Sequence, residues 1–510
     1  MLAKILSFGL NGIKGYPISI ELDINTGLPA YDVVGLADTA IKESKSRVKA
    51  AIKNSALNYP IHKIIVNLAP ADTKKEGSMY DLPIALAILT AQMDVPHQAI
   101  AGYVVLGELS LDGEIRKLNG IMPMLISAKQ MGYTKFIIPK ANAAEASFID
   151  DIEVYAMENL KQTVSFLKGE ITVEPLSCKT FESAIKEHNT KHDFAYVRGQ
   201  ASAKRAMEIA AAGGHNVLLI GPPGAGKTMI AKCFPSILPN LTFEESLEVT
   251  KIHSVAGVLD SEKGIVVERP FRSPHHTATL IALTGGGSKA KPGEISLAHN
   301  GVLFLDEMPE YARNTIETLR QPMEDGYITV ARNALTVQYP ANFIMIASMN
   351  PCPCGYYGST TRECKCSPNA IHNYLSKISG PLLDRIDLHI EVDSISYEEL
   401  TETRLEEPSE KIKQRVDAAK AIQIERFKNS ECYSNAKMNE KEFKEHCALS
   451  KDCIDLLEYA FKKLNLSARG YNRILKVART IADLDGKEKI EKQHILEAIQ
   501  YRSLDKKYSV

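Results

Sequence analysis

Residues 216–228 read NVLLIGPPGAGKT, and this stretch decides the fold. Four apolar residues, Val217–Ile220, predict a buried strand. Gly221–Thr228 then fits the pattern G-x-x-x-x-G-K-[ST], in which glycines let backbone N–H groups turn towards phosphate oxygens. The next residues, TMIAKCF, predict a helix whose N-terminal end adds a positive potential. The stretch therefore predicts a P-loop α/β domain that binds ATP.

Individual side chains of this loop have predicted roles. Lys227 would reach the β- and γ-phosphates, and Thr228 would ligate Mg²⁺. The predicted cofactor-binding residues are Gly221, Pro222, Pro223, Gly224, Ala225, Gly226, Lys227, Thr228 and, from a later strand, Asp306.

Two further apolar runs end in polar residues. Val302–Leu305 predicts a strand followed by Asp306 and Glu307. Asp306 would hold Mg²⁺ through water, and Glu307 would polarise the attacking water for hydrolysis. Phe343–Met349 predicts a third strand, and Asn350 at its end can position the same water. The sequence thus predicts catalysis by Glu307 and Asn350.

Composition limits the classes of protein that this chain can be. Its 510 residues are 45% hydrophobic and 24% charged, with a formal net charge of −1, so a site for a polyanion must be a local patch. No apolar run is long enough for a membrane span, and the N-terminal stretch lacks a small-residue cleavage site. Nine cysteines, five of them scattered, favour a reducing cytoplasm over a disulfide framework.

Strand and helix patterns predict the domain organisation. Residues 1–175 alternate short strands with helices and predict an α+β domain, and a polar linker follows at 176–193. Residues 194–395 predict the ATPase α/β domain. Residues 396–510 contain few glycines and many amphipathic stretches, and they predict a helical lid domain.

The segment GYITVARNALTVQYP, residues 326–340, predicts a β-hairpin. Apolar residues alternate with polar ones on both sides of a turn at 331–334. Arg332 would then be a cation at the hairpin tip. A surface hairpin with a solvated arginine is the other interpretation.

Four cysteines lie between Asn350 and His372, in an insertion at 350–372 that is too polar to bury a core of its own. Cys352, Cys354, Cys364 and Cys366 form two Cys-x-Cys pairs, which favours a structural zinc site that would stabilise the loop. Cys-x-Cys is tighter than the usual ligand spacing, and His372 could replace one thiolate. A redox-active set and unpaired thiols remain the alternatives.

Several motifs carry a family resemblance. The phosphate loop, LFLDE, IASMN and LLDRIDLHIEV, in this order, resemble AAA+ ATPases of the magnesium-chelatase and MCM-helicase group. The stretches RPFRSPHHTAT, GGGSKAKPGEISLAHNGVLFLDE, LRQPMEDG and NPCPCG resemble the ComM/YifB family nearly word for word. This resemblance covers almost the whole chain.

The resemblance implies roles for further residues. Arg385 of LLDRID would be an arginine finger that completes the active site of a neighbouring subunit, and Arg469 of SARG would be a second sensor, with Arg473 as the alternative. In this group the hairpin points into the pore of a ring, where Arg332 would contact DNA. The segment Val249–Pro270 matches an insertion that also faces the pore, and RPFRSPHHT after it would contact the pore or the substrate.

The N-terminal domain resembles the proteolytic domain of Lon. When Lys75-Glu76-Gly77 is set on the Lon motif, the catalytic serine and lysine positions fall on Met79 and Met124. A thioether can neither attack a carbonyl nor accept a proton, and Ser78 has no lysine partner at the second position. The expectation is a non-catalytic domain for ring assembly or partner docking.

Together, the resemblance implies a cytoplasmic homo-hexameric DNA translocase or helicase. Its expected role is to promote branch migration and DNA integration in natural transformation, with DNA in the pore and recombination proteins as possible partners. A protein-remodelling ATPase and a magnesium-chelatase motor are the rival interpretations. An ATP-dependent protease is a third, and Met79 and Met124 argue against it.

Overall fold

The computed structural model describes residues 2–185, 192–287, 290–332, 335–359, 362–394, 405–430, 432–464 and 466–504. Contacts divide the chain into two compact units, Met1–Glu187 with Thr242–Val267, and His188–Leu241 with Glu268–Val510. The described part contains no helix of the length and apolarity that a bilayer crossing requires. Part of the predicted linker, 186–191, and the predicted start of the lid at 396 lie outside the described residues.

The first unit is built on a mixed seven-stranded sheet with the order β3-β4-β2-β1-β5-β8-β9 among its described residues. Both faces of the sheet are covered, because neighbouring residues of one strand belong to opposite cores: Val105 and Ile137 to one, Val104 and Phe136 to the other. The strands of the unit are β1 Leu2–Asn11, β2 Lys14–Asn25, β3 Ala30–Val34, β4 Lys63–Ala69, β5 Tyr103–Val105, β6 Glu108–Leu109, β7 Ile115–Arg116, β8 Lys135–Pro139 and β9 Glu153–Met157, of which β6 and β7 pair with each other in a separate two-stranded sheet.

Helices cover these two faces. The helices of the first unit are Thr39–Asn54, Asp81–Ala91, His97–Ile100, Ile121–Gln130, Ala143–Ala146, Leu160–Leu167, Phe181–Ile185 and Phe243–Ala256. Asp81–Ala91 is buried along its whole length, as its continuous apolar sequence requires.

The last of these helices comes from inside the sequence that was predicted to be a continuous ATPase domain. Phe243–Ala256 begins with a capping box at Thr242 and packs against the helix that starts at Ile121. The Gly120 N–H donates to the carbonyl oxygen of Ser254, and the Ser254 hydroxyl donates to Glu145 Oε2 at 2.7 Å. Burial raises the pKa of Glu145. Thr242–Val267 therefore belongs to the first unit, although the residues before and after it in the sequence belong to the second.

The second unit is α/β, with a parallel sheet of order β11-β14-β17-β10-β18 in its described residues. The C-terminal helix Ala468–Leu484 and the helix Ala201–Gly213 share one core with this sheet. The strands of the unit are β10 Val217–Ile220, β11 Phe271–Arg272, β12 Gly285–Gly286, β13 Lys291–Pro292, β14 Gly301–Leu305, β15 Tyr327–Arg332, β16 Leu335–Pro340, β17 Phe343–Met349 and β18 Leu388–Glu391.

The three strands predicted around the nucleotide site are confirmed as β10, β14 and β17. Parallel strands end at one edge of the sheet, so the residues that follow them converge there. The helices of the unit are Ala201–Gly213, Lys227–Cys233, Leu280–Thr284, Glu294–Leu297, Arg313–Glu317, Arg320–Asp325, Pro368–Leu375, Gly380–Leu383, Ser409–Arg426, Glu440–His446, Lys451–Leu464, Ala468–Leu484 and Lys492–Gln500.

Candidate nucleotide and metal sites

The loop between β10 and the helix Lys227–Cys233 depends on glycine for its backbone conformation. Gly224 and Gly226 have φ angles of +80° and +86°, a region that side chains disfavour, while a Cβ at either position would meet no atom within 4 Å. Gly221 is needed for another reason, because a Cβ there would lie 2.1 Å from the Val392 carbonyl oxygen. The predicted loop residues Pro222, Pro223 and Ala225 lie between these glycines.

Lys227 directs its ammonium group into this loop. Its Nζ donates to the carbonyl oxygens of Gly221 at 2.6 Å and Pro222 at 2.8 Å, and to Asn350 Oδ1 at 3.2 Å. Burial lowers the pKa of Lys227 to about 8, although the carboxylates of Asp306 and Glu307 oppose this shift. An anion bound in the loop would offer this cation a stronger partner than neutral carbonyls do.

The acidic pair after β14 reaches the same loop. Thr228 Oγ1 donates to Asp306 Oδ2 at 3.0 Å, so the two predicted magnesium ligands are adjacent. Hydroxyl and carboxylate oxygens are the donors that Mg²⁺ prefers, and the pair fits that ion. Glu307 is exposed and has a φ of 50°, so its backbone adopts a left-handed conformation directly after the strand.

Ser348 belongs to this group, although sequence reasoning did not single it out. It is fully buried in β17, donates a hydrogen bond to Asp306 Oδ1 and accepts one from the Glu307 backbone N–H at 3.1 Å. The signal available in the sequence was a hydroxyl within an otherwise apolar strand, two residues before Asn350.

The predicted finger, Arg385, is 5% exposed and is bound within its own chain. Its Nη2 lies 2.5 Å from Glu324 Oε1, and its Nη1 donates to the Pro381 carbonyl oxygen at 2.7 Å. Its Nε has no hydrogen-bond partner in the part of the chain that the structure describes. In the described structure, the Nε donor of the guanidinium is therefore unpartnered, while Nη2 is paired with Glu324.

The two candidate sensor arginines have different surroundings. Arg469 is exposed in the first turn of the helix Ala468–Leu484, which Ser467 caps. Arg473 donates to the Arg385 carbonyl oxygen at 2.8 Å and to the carboxylate of Asp387. Burial favours the neutral form of Asp387, yet Arg473 holds the pKa of that carboxyl well below its usual range. Arg473 is thus committed to an ion pair, whereas Arg469 is exposed.

The four cysteines of the insertion come together. The sulfur of Cys352 lies 3.4 Å from that of Cys354 and 3.7 Å from that of Cys364, and Cys354 Sγ is 3.6 Å from Cys364 Sγ. With Cys366 included, all four sulfurs lie within 4.8 Å of one another. A tetrahedral zinc site with bonds of about 2.3 Å has sulfurs about 3.8 Å apart. The cluster therefore has the size and ligand count of a Cys₄ zinc site.

The thiols of this cluster also interact electrostatically. A hydrogen bond from the Tyr356 backbone N–H lowers the pKa of Cys354 to about 6. A similar bond from the Cys366 N–H favours the Cys364 thiolate, but the neighbouring sulfurs raise the pKa of Cys364 to about 12. A divalent cation would remove the mutual repulsion of these thiolates.

The cysteine loop, residues 350–367, packs against the phosphate loop. Gly355 has a φ of +85°, and a Cβ on it would lie 2.4 Å from Pro223 Cδ. At the start of the loop, the Asn350 backbone N–H donates to the phenol of Tyr374, which lies in the helix Pro368–Leu375 after the loop. The first part of the loop therefore contacts the phosphate loop, and the helix that follows the loop is bonded to Asn350.

The hairpin predicted from the sequence is confirmed. β15 and β16 pair antiparallel from Tyr327 and Pro340 to Arg332 and Leu335. The predicted turn residues Asn333 and Ala334 lie outside the described residues. Arg332 is thus the last described residue of β15, next to the turn.

The arginines of RPFRSPHHT make contacts within the chain. Arg269 donates to the carbonyl oxygens of Pro239, Asn240 and Asn300, and Arg272 makes two hydrogen bonds to Glu294 at 2.6 and 2.8 Å. The bonds of Arg269 fix the segment before β11, and those of Arg272 join β11 to the helix Glu294–Leu297. His275 and His276 follow as a pair of tilted rings with centroids 4.1 Å apart.

In the first unit, the two positions matched to the Lon dyad hold apolar side chains, one buried and one partly buried. Met124 is completely buried, and Met79 packs against the core cluster that contains it. The Ser78 hydroxyl donates to Glu108 rather than to a lysine. No nucleophile and base are thus paired at these positions among the described residues.

Comparisons with known proteins agree with this architecture. Three magnesium-chelatase family profiles match: "Magnesium chelatase, subunit ChlI" at residues 193–400, "Subunit ChlI of Mg-chelatase" at 20–142, and "Magnesium chelatase, subunit ChlI C-terminal" at 406–502. The chain is 41% identical to competence protein ComM of Haemophilus influenzae over 510 residues, which are 99% of this chain and 98% of that protein. The chain belongs to the ComM/YifB family.

Other relatives extend this family. YifB of Escherichia coli K12 is 42% identical over 497 residues, 97% of this chain and 96% of that protein. A magnesium-chelatase 38 kDa subunit of Cereibacter sphaeroides is 26% identical over 177 residues, 31% of this chain and 52% of that protein. The resemblance found in the sequence is confirmed. The AAA+ core of the ComM/YifB family implies ATP and Mg²⁺ as ligands, which the residues of this loop fit.

Proposed function

We propose that this chain is an ATP-driven, hexameric DNA translocase or helicase of ComM type. It would promote branch migration and the integration of DNA during natural transformation and recombination. The observation that carries the proposal is the hydrogen bond that joins Thr228 of the phosphate loop to Asp306 after β14, in a chain that is 41% identical to ComM over its length. The cytoplasm is the proposed location, with recombination proteins as partners.

Hydrolysis would use the residues at the ends of the parallel strands. The loop 221–228 would bind the phosphates with Lys227, and Thr228 and Asp306 would hold Mg²⁺, which supplies charge neutralisation at the transferred phosphoryl group. Glu307, exposed beside them, would polarise the attacking water, and Asn350 would help to orient it. The hydrogen bond from Lys227 Nζ to Asn350 Oδ1 supports this assignment.

Ring assembly would complete each site. Arg385 would act on the nucleotide of a neighbouring subunit, and the exposed Arg469 would be the sensor of the lid. Arg473 is less suited to that role, because the ion pair with Asp387 already engages it.

Zinc would have a structural role. Cys352, Cys354, Cys364 and Cys366 offer four sulfurs within 4.8 Å of one another, so zinc would need no contribution from His372. The metal would stiffen the loop between the sensor Asn350 and the finger Arg385. We also propose that the first unit is a Lon-like scaffold without catalysis, since Met79 and Met124 stand at the dyad positions.

DNA would pass the hairpin β15–β16. With a net charge of −1, the protein has no general field to attract a polyanion, so a few cations repeated by ring symmetry would make the phosphate contacts. Arg332 lies beside the hairpin turn and is our candidate for that cation.

The test is ATP hydrolysis with and without single-stranded and branched DNA. We expect several-fold stimulation of the wild type, and we expect Arg332→Glu to lose this stimulation and DNA binding while its basal rate persists. Glu307→Gln serves as the control that binds ATP but does not hydrolyse it with or without DNA. Wild-type binding should weaken steeply with salt.

Four outcomes would count against parts of the proposal in different ways. Hydrolysis at the wild-type rate by Glu307→Gln would remove the assigned catalytic residue. Normal DNA stimulation in Arg332→Glu would move the DNA contact elsewhere. Stimulation by unfolded polypeptide and not by DNA would favour a protein-remodelling ATPase, and no response to either would leave the chelatase-type motor.

A further inference from the structure

Ser348 occupies the centre of the parallel sheet. β17, to which it belongs, lies between β14 and β10 in the strand order. Ser348 pairs in register with Leu219 of β10, and its neighbour Ala347 pairs with Leu305 of β14. It therefore stands between the strand that leads to the phosphate loop and the strand that leads to the acidic pair.

The hydroxyl of Ser348 uses both its donor and its acceptor capacity in this position. The O–H donates to Asp306 Oδ1, and the oxygen accepts from the Glu307 N–H at 3.1 Å. Its side chain is completely buried, so water does not compete for these bonds. One buried hydroxyl thus contacts both residues of the acidic pair.

The second oxygen of Asp306 has a different partner. Oδ2 accepts from Thr228 Oγ1 at 3.0 Å. Thr228 is itself the expected magnesium ligand, so its hydroxyl would turn towards the metal when nucleotide binds. Ser348 is then the contact that keeps the Asp306 carboxylate in place, because its own position is fixed by the strand.

We propose that Ser348 is a positioning residue for the magnesium site and for Glu307. By holding Oδ1 it leaves the other oxygen of Asp306 directed at the metal, and by accepting from the Glu307 N–H it stabilises the left-handed backbone, φ 50°, from which that side chain projects. The proposal rests on the nucleotide site described above. Partners that orient a metal ligand commonly change metal affinity by about 10–100-fold when removed.

The experiment measures Mg²⁺ dependence in the full chain. The affinity for a fluorescent ADP analogue is measured at increasing Mg²⁺ concentrations. The Mg²⁺ concentration that gives half of the metal-dependent rise in affinity is then compared among the variants. Ser348→Ala should raise this concentration about tenfold, with Mg²⁺-free nucleotide affinity nearly unchanged. Ser348→Thr keeps the hydroxyl and should remain close to the wild type.

Ser296→Ala is the matched control. Ser296 is also a fully buried serine of the second unit, but its hydroxyl has no hydrogen-bond partner in the described part of the chain. Ser296→Ala should change neither the Mg²⁺ dependence of binding nor the maximal hydrolysis rate. Ser348→Ala should lower the maximal hydrolysis rate about tenfold at saturating Mg²⁺, because Glu307 loses its support.

The outcomes separate this proposal from the function on which it rests. A wild type without Mg²⁺-dependent binding would refute the nucleotide site itself. A normal Mg²⁺ response in Ser348→Ala, or an equal defect in Ser348→Thr, would overturn the role of the hydroxyl. If Ser348→Ala does not fold, Ser348→Cys is measured instead. A half-saturating Mg²⁺ concentration between those of the wild type and of an Asp306→Asn variant would support the role of the hydroxyl, and a wild-type value would overturn it.

Discussion

At the scale of single residues, Lys227 offers a property that can be measured directly. It is 8% exposed and surrounded by carbonyl oxygens, and burial lowers its pKa to about 8. Below that pH it is charged and can bind phosphate. A bound phosphate would raise its pKa, so affinity is full below pH 8 and is lost as the pH rises through and beyond that value.

We therefore predict that affinity for ADP without metal falls about tenfold between pH 7 and pH 9, since about a tenth of the lysines remain protonated one unit above the pKa. Titration calorimetry in buffers of different ionisation enthalpy should show net proton uptake on binding near pH 8.5. Lys227→Arg stays charged throughout this range, so its affinity should not show the decline. A wild-type affinity that is level from pH 7 to 9 would contradict the prediction.

The residues of the site were predictable to different degrees. The phosphate loop could be read directly, because its spacing encodes a local backbone geometry. Ser348 could not be assigned a role, because its contact with Asp306 depends on β17 lying beside β14, which spacing along the chain does not reveal. The same holds for Arg385 and Arg473, whose partners Glu324 and Asp387 were visible only in the fold.

At the scale of elements, the cysteine loop contacts the phosphate loop, which lies far from it in the sequence. Gly355 lies against Pro223, so the position of this loop bears on the phosphate loop. We predict that Gly355→Ala lowers ATP affinity about tenfold, because the new methyl group would overpack the contact with Pro223. Nucleotide titration checks the affinity, and metal analysis should still find about one zinc per chain, since the four thiolates are unchanged.

Gly102→Ala is the control for backbone strain. Gly102 has a φ of +84°, nearly equal to that of Gly355, but a Cβ there would meet no atom within 4 Å. Both variants thus carry the same left-handed strain, and only one carries the contact. Equal ATP affinities in the two variants would show that the cysteine loop does not act on the phosphate loop, and loss of zinc in Gly355→Ala would assign the effect to the metal site instead.

Elements with a strong local sequence pattern were predicted correctly, but the elements against which they pack were not predicted. The hairpin β15–β16 follows from its alternation, and Ala468–Leu484 follows from its amphipathic spacing. The sequence of Thr242–Val267 does not indicate that its helix packs against the helix that starts at Ile121. This packing is a matter of topology, which hydrophobic period alone does not determine.

At the scale of the whole molecule, the finger role proposed for Arg385 would require a change in the contacts of its side chain. Its side chain is 6% exposed and is bound to Glu324. A finger that acts on a neighbour must exchange this carboxylate for a phosphate, and its unpartnered Nε in the described structure provides a donor for that exchange. The same surface of each subunit would then face a different surface of the next, as in a closed heterologous ring.

We predict that Arg385→Ala abolishes hydrolysis while ATP affinity stays within about twofold of the wild type, because the finger contacts only the nucleotide of the adjacent subunit. Lys227→Ala should be inactive for the opposite reason, since it loses the phosphate contact in its own site. Mixed at equal amounts, the two variants should recover activity. Random assembly pairs an intact loop with an intact finger at about a quarter of the interfaces, so about a quarter of the wild-type rate is the upper bound.

The mixing curve distinguishes the possible arrangements. Activity that is greatest at equal amounts and absent for either variant alone requires that the two residues act on one site from different chains. Activity that stays at zero at every ratio, while size measurements show mixed rings, would place Arg385 in its own subunit's site or in the structural pair with Glu324. If the structural pair is what matters, Glu324→Gln should reproduce the defect of Arg385→Ala. If Arg385 instead acts in trans, Glu324→Gln should retain hydrolysis, because a neutral amide releases the guanidinium towards the neighbouring nucleotide.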